Sequence, residues 1–335
     1  MERLLEVLLD LGRQWAEDRA AQVRRSLLQA LEHEQRRLFD ALLPLGLGLI
    51  FSIMRVINFA QGEFMMLGMY AALFAFSALG LGQTLGTWAG LTLGALLAGV
   101  TLFVLAAVLH PALLARVTGS RVSGTEGDGH YPQLTLTLGL SLVLANGGLL
   151  VFGSSPHTVQ TELSSAAWTI GPLVGEDVLL FVNKARSLSL LVAAVMVGVV
   201  TVFIQTTRIG KTLRAAADNP VAATYMGIDV SRAHRFAFAI GAAVTGVAGG
   251  LLASSYPFQP YVGAEFIVIM YTGVVLGGMG SIKGAFWGGL LIGVIQQMSA
   301  LVLPMQLQST AIFVVFLLTL LLRPQGLFGK SVDRA

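Results

Sequence analysis

The 335-residue sequence contains no cysteine. That absence excludes disulfide staples, thiolate metal sites and a cysteine nucleophile. Charge is scarce as well: 12% of residues are charged, against ~25% in soluble domains. Too few charges remain to coat the water-facing surface of a globule of this length. The deficit is also concentrated, because between Phe236 and Leu322 the only formal charges are Glu265 and Lys283. Such a stretch suits lipid rather than water. The net charge of +3 is too small to point to nucleic acid, and no nucleic-acid partner is expected. The five histidines, His33, His110, His130, His157 and His234, lie in or beside loops. They lack metal-ligand spacing such as HExxH, so no metal site and no catalytic residue is expected. Residues 1–40 are charged throughout, which leaves no apolar segment behind a basic start, so no secretory signal is expected.

What the chain has in abundance is apolar length. Hydrophobic residues make up 55% of it, and the mean hydropathy is +0.76. A helix needs ~20 apolar residues to cross a bilayer. Segments of this kind occur near 40–57, 64–81, 87–109, 133–152, 187–205, 236–254, 266–280, 285–303 and 309–322. The expected fold is therefore all-α, a polytopic membrane protein with about 8–10 transmembrane helices. The membrane domain should span 39–330, preceded by a charged amphipathic helix over 1–38 and followed by a short cytoplasmic tail over 331–335. In the first segment Leu4, Leu5, Leu8, Leu9, Leu11 and Trp15 form an apolar face. It reads as an interfacial helix or as a partner-binding one.

Basic residues in short loops set the orientation. The loop 206–235 holds Arg208, Lys211, Arg214, Arg232 and Arg235 against Asp218 and Asp229, and is expected in the cytoplasm. The following loop, 255–265, has no base and is expected outside. Alternation then places the C-terminus inside and is coherent over the last seven spans. It breaks at the start, where the arginine-bearing N-terminal segment would fall outside unless one of the first two spans is incomplete.

Lipid gives no hydrophobic drive between helices, so small residues that let backbones approach take its place. Gly273, Gly277, Gly280, Gly284 and Gly288 recur at three- and four-residue spacing, and Gly278 lies within the same run. The segment 276–284 reads as a tight turn between two closely packed spans, beside the plainer reading of ordinary transmembrane glycine.

The cytoplasmic loop carries the clearest local signal. After Asp218, Asn219 suits an N-cap, Pro220 the first helical position and Gly227 the position past a helix end. A short helix over 220–226 is thus punctuated on both sides. Its residues Val221, Ala222, Ala223, Tyr225 and Met226 are apolar or small. Such a helix on the water side either docks into a groove of a soluble partner or lies on the membrane or on its own domain.

This loop resembles the coupling helix of ABC importer permeases, which sits in a cleft of the ATPase subunit. Two further stretches sharpen the likeness. Asn58, Phe59, Ala60, Gln61, Gly62 and Glu63, followed by Met66, Leu67 and Gly68, resemble the early signature of branched-chain amino acid permeases. Residues 274–285 resemble their late glycine-rich turn, and 323–329 their ending. The resemblance covers about residues 40 to 330 and fits the NFAHGE-bearing subunit type. Gln61 stands where that family usually has histidine, Ser52 and Arg55 where glycines are common, and a charged extension replaces the usual apolar lead-in.

The resemblance implies ABC importer architecture in a prokaryotic inner membrane, with four kinds of partner. They are the lipid bilayer, a paralogous permease (or a second copy of this chain), two cytoplasmic ATPases and a periplasmic substrate-binding protein. It implies branched-chain or other hydrophobic amino acids as cargo. No GxxxxGK[ST] segment occurs, so ATP and magnesium belong to the partners and this chain binds no cofactor. Polar residues inside apolar segments are the substrate-pathway candidates: Asn58, Gln61, Glu63, Thr137, Asn146 and Gln296. The Asn58–Glu63 interruption reads as a helix break lining a cavity or as a polar surface turn. Other readings of the chain are a urea or short-amide permease and a stand-alone secondary transporter or channel. The latter lacks the buried charge pairs that ion coupling needs, and an intramembrane enzyme fits least.

Overall fold

A computed structural model describes residues 46–50, 58–118, 131–170, 180–278, 280–303, 307–323 and 325–328. The N-terminal segment 1–38, most of the first apolar segment and the tail 331–335 lie outside the described residues. So do Arg121, Met279 and Pro304.

Long apolar segments without interior proline wind into helices, since lipid offers no other partner for backbone N–H and C=O groups. The long helices are α1 (Gln61–Ala78), α3 (Thr87–Leu109), α5 (Tyr131–Phe152), α7 (Lys184–Thr206), α10 (Val230–Leu252), α11 (Val262–Gly277), α12 (Ile282–Val302) and α13 (Gln308–Leu322). Short helices lie between them: α2 (Leu81–Thr84), α4 (Ala115–Thr118), α6 (Glu162–Ser165), α8 (Arg208–Asp218) and α9 (Pro220–Tyr225). Every one of the nine apolar segments overlaps a described helix, the first of them through 46–50 alone. Four described spans are long and apolar enough to cross a membrane: Thr87–Val117, Pro132–Phe152, Lys184–Thr206 and Val230–Leu252. The first runs past its expected end because a π-helical turn, His110–Leu114, absorbs Pro111. Proline has no N–H for the α-helical ladder, and a π turn tolerates that gap.

α10 forms the centre of the bundle, packed between α1 and α3. Its small residues permit this. A Cβ on Gly68 of α1 would lie 2.7 Å from Gly246 Cα of α10, so the two backbones touch directly. Phe64 and Phe238 fill the adjoining space edge-on, with centroids 5.7 Å apart. By contrast, α5 and α7 expose most of their apolar surface, including Leu142, Val143, Leu150, Val195 and Val199. Those faces suit lipid or a neighbouring membrane subunit.

The chain also builds a small sheet that hydropathy did not foreshadow. β1 (Ala167–Ile170) pairs antiparallel with β2 (Leu180–Asn183), with Ala167 opposite Asn183. It sits at the end of the bundle where α3 and α7 begin. There the Trp168 ring stacks on Trp88, centroids 5.9 Å apart. A pair of half-exposed tryptophans at one bundle end matches the aromatic belt of a membrane interface.

Candidate functional site

The 58–63 interruption is buried. Asn58 and Gln61 are 0% exposed and Glu63 is 4% exposed, which the surface-turn reading does not accommodate. Buried amides must find partners, and these form a directional chain. Asn58 Nδ2 donates to Gln61 Oε1 at 2.9 Å, and Asn58 Oδ1 accepts from the Ala60 N–H at 3.1 Å. Gln61 Nε2 donates to Thr245 Oγ1 on α10. Thr245 in turn donates to the Gly241 carbonyl at 3.1 Å. The start of α1 is thereby tied to the middle of α10, across 184 positions of sequence.

Glu63 lies one helical step beyond. Its Oε1 accepts from Ser141 Oγ of α5 at 3.3 Å, while Oε2 is buried without a hydrogen-bond partner. The Gly263 backbone of α11 abuts the carboxylate, so that a Cβ there would lie 2.7 Å from Oε2. α1, α5 and α11 meet at this one side chain. Beside it the Phe59 ring leans on Tyr271 of α11 at 5.4 Å, and the Tyr271 hydroxyl is also buried and unpartnered.

The other pathway candidates are not drawn into this cluster. Thr137 is buried but donates to the Leu134 carbonyl of its own helix at 3.1 Å. Asn146 is exposed and donates to Leu142 O at 2.8 Å. Gln296 is half-buried on α12, and its carbonyl accepts from Ser299 Oγ at 2.6 Å. Thr245 is the partner that sequence reasoning missed; nothing marks it within the small-residue run of α10. Among the described residues no three histidines, aspartates or glutamates gather as a metal site.

The second candidate region is α9. Asn219 caps it, its Oδ1 accepting from the Ala222 N–H at 3.0 Å. Pro220 occupies the first turn, and Gly227 closes the end with φ 81°, a left-handed conformation that glycine adopts freely. Asp218 ends the preceding α8. Only Ala223 turns inward. Val221, Tyr225 and Met226 point away from the protein, the last two 85% and 82% exposed. With Asn219→Ala the helix loses its side-chain cap, which costs ~1 kcal/mol locally. Faster amide exchange over 221–226 with unchanged exchange in α10 is the expected signature.

The third is the glycine-rich turn. A Cβ on Gly288 of α12 would strike the Gly273 carbonyl of α11 and lie 2.9 Å from Gly277 Cα. Gly277 and Gly284 press on each other in the same way. Gly278 (φ 106°) and Gly280 (φ 93°) make the turn, and Ser281 caps α12 by accepting from the Gly284 N–H at 3.0 Å. The last described residues close the C-terminus of α11: Leu327 N–H donates to Leu276 O at 2.8 Å and Phe328 N–H to Gly277 O at 3.0 Å. These bonds satisfy carbonyls that a helix end otherwise leaves bare.

Comparison with known proteins places this geometry in context. Residues 40–322 match the family described as branched-chain amino acid transport system, permease component. The chain is 30% identical over 291 residues to the high-affinity branched-chain amino acid transport system permease protein LivH of Escherichia coli, covering 87% of this chain and 91% of LivH. It is 29% identical over 298 residues to BraD of Pseudomonas aeruginosa, with 87% and 91% covered. It is 26% identical over 301 residues to a probable LivH of Methanocaldococcus jannaschii, with 86% and 88% covered. No solved structure matches the chain.

Proposed function

The chain belongs to the family of branched-chain amino acid transport permease components, and from that membership we propose that it passes hydrophobic, branched-chain amino acids across the inner membrane as the permease subunit of an ATP-driven importer. It is a transport subunit rather than an enzyme. The observation that carries the reading is α9, a capped helix that turns only Ala223 inward and offers Val221, Tyr225 and Met226 to a partner. The basic residues around it support a cytoplasmic position for that end, and alternation of the spans supports the same side for the C-terminus. Two ATPases there close on ATP and move the α9 helices, which shifts the membrane dimer between inward- and outward-facing states. ATP drives that shift only through tighter binding to one of the two states. A second permease subunit completes the dimer, and a soluble binding protein delivers cargo at the other end.

The break at Asn58, Gln61 and Glu63 is the proposed part of the pathway. A buried carboxylate with one bare oxygen accepts a hydrogen bond from the ammonium group of a passing amino acid. Glu63→Gln removes that charge while keeping shape and size. Its uptake rate should fall about tenfold or more, the worth of one charge-assisted hydrogen bond. Unchanged uptake kinetics would return Glu63 to a purely structural role.

The test of the whole reading is reconstitution. Proteoliposomes holding this chain, its permease partner and the ATPases should accumulate leucine only with ATP and the binding protein present. Uptake driven by an ion gradient without ATPases would replace the reading with a secondary transporter.

A further inference from the structure

α1 turns a single face toward α5. Glu63, Met66 and Tyr70, spaced three and four apart, share that face. Ser141, Gly148 and Phe152, spaced seven and four apart, meet them from α5. Ser141 Oγ donates to Glu63 Oε1 at 3.3 Å. A Cβ on Gly148 would lie 3.1 Å from Met66 Cε. The Phe152 ring stacks on Tyr70, with centroids 3.8 Å apart and planes 7° from parallel. Leu142, Val143, Asn146 and Leu150, elsewhere on α5, are exposed.

This seam is built to part. Between α1 and α10 backbone touches backbone at Gly68 and Gly246. Between α1 and α5 the contacts are a flexible thioether, a ring stack and a hydrogen bond longer than the usual ~2.7–2.8 Å between oxygens. Gly153, with φ 78°, directly follows Phe152. Beyond it His157 is pinned to Phe258: the His157 N–H donates to Phe258 O at 2.8 Å, and the Phe258 N–H donates back at 2.9 Å. The glycine is a joint between a helix that can tilt and a loop that is held.

The buried face of the seam carries chemistry that the closed form leaves unused. Tyr70 is 4% exposed, and its hydroxyl has no hydrogen-bond partner among the described residues. Phe152 covers the ring, and Phe258 meets it edge-on at 4.9 Å. A buried O–H left bare loses its water and gains nothing in return. An acceptor that arrives in another state of the protein accounts for its place. Two turns earlier on the same face, Glu63 Oε2 is a bare acceptor. One face of α1 thus offers a donor and an acceptor with Met66, fully buried, between them. A hydrophobic amino acid carries the matching set: carboxylate, aliphatic side chain and ammonium. A thioether adapts to aliphatic groups of different shape.

Tyr70 stands toward the end of the bundle opposite α9. Its neighbour Phe258 follows α10, which runs 23 residues from Val230 to Leu252, or roughly 34 Å. Seven residues of helix, ~10 Å, separate Tyr70 from Glu63, so one amino acid entering from that end meets Tyr70 first and Glu63 next.

We propose that the α1–α5 seam opens as the outer part of the transport path, where the Tyr70 hydroxyl donates to the substrate's α-carboxylate and Met66 receives its side chain. The proposal rests on the transport reading and orientation argued under the proposed function.

Two measurements test it. Tyr70→Phe removes one oxygen that has no partner in the closed form, so its melting temperature should equal or exceed the parent's. Its maximal rate of leucine uptake, with binding protein saturating, should fall about tenfold. Parental uptake, or a lower melting temperature, overturns the proposal. The second measurement uses the absence of cysteine. Met66→Cys puts a single reporter thiol of this chain at a fully buried position. Assembled transporter in vesicles is exposed to a membrane-impermeant maleimide at rest, and again after trapping with ATP and vanadate without the binding protein. Trapping should speed labelling from the outer side about tenfold or more, because a buried thiol reacts only through opening, and excess leucine should slow it again. Equal labelling at rest and after trapping means the seam stays shut, and labelling that leucine does not slow means that the open seam is not the path. Either result overturns the proposal, as does labelling from the cytoplasmic side alone. ATP-dependent uptake by the parent in the same vesicles keeps the transport function standing whichever way the variants fall.

Discussion

Replacing Tyr225 and Met226 together with aspartate stops substrate-stimulated ATP hydrolysis while the permease still inserts and keeps its melting temperature. The expectation follows from where these side chains point. They are 85% and 82% exposed, so burial inside this chain contributes almost nothing to their energetics. Docked into an ATPase groove, each apolar side chain gains ~1.5–3 kcal/mol on leaving water. Aspartate loses that gain and adds the cost of desolvating a charge. A combined loss of ~3 kcal/mol already weakens association more than a hundredfold. The helix survives, because its cap at Asn219, its proline start and its buried Ala223 are untouched. Co-purification of the ATPases and their stimulated turnover measure the effect. Normal stimulation in the double variant would remove α9 from the coupling path. Ala222→Ser, an exposed polar change away from those two anchors, serves as the mild control.

The same helix shows what was legible in the sequence. Its cap, its first-turn proline and its closing glycine act within a few residues of one another, and the expected boundaries fell within one residue of those observed. Span positions were legible for a related reason, since hydropathy is a local sum. The Gln61–Thr245 bond was not, because the two residues are 184 positions apart and Thr245 sits in an unremarkable run of small residues. Burial of the 58–63 break was undecidable for the same cause: polarity argues for water unless the partner on α10 is known. The β1–β2 hairpin and the docking of Leu327 and Phe328 onto α11 are also long-range events. The glycine spacing in 273–288 announced close packing, but which backbones touch depended on the turn that folds α12 back on α11.

That contact carries the second large effect. Gly288→Val should leave almost no permease in the membrane, and any that is extracted should melt well below the parent. A Cβ at 288 meets the Gly273 carbonyl and lies 2.9 Å from Gly277 Cα. Both neighbours are helix backbone, so no rotamer change relieves the clash and the two helices must part. Overpacking of flexible side chains costs ~1–3 kcal/mol, and separating two backbones costs more, because the van der Waals contact that joins helices in lipid is lost along the whole seam. Parting α11 from α12 also moves the carbonyls of Leu276 and Gly277 away from the Leu327 and Phe328 N–H groups, which frees the C-terminal segment from its seat. A domain with ~5–15 kcal/mol of stability does not survive several such losses. Gly139→Val on α5 is the matched control: nothing lies within 4 Å of a Cβ there, so the melting temperature should stay within a few degrees of the parent. Size-exclusion profiles of detergent extracts heated stepwise separate the two outcomes. If Gly288→Val melts with Gly139→Val, the close approach of α11 and α12 is not what holds this half of the permease together.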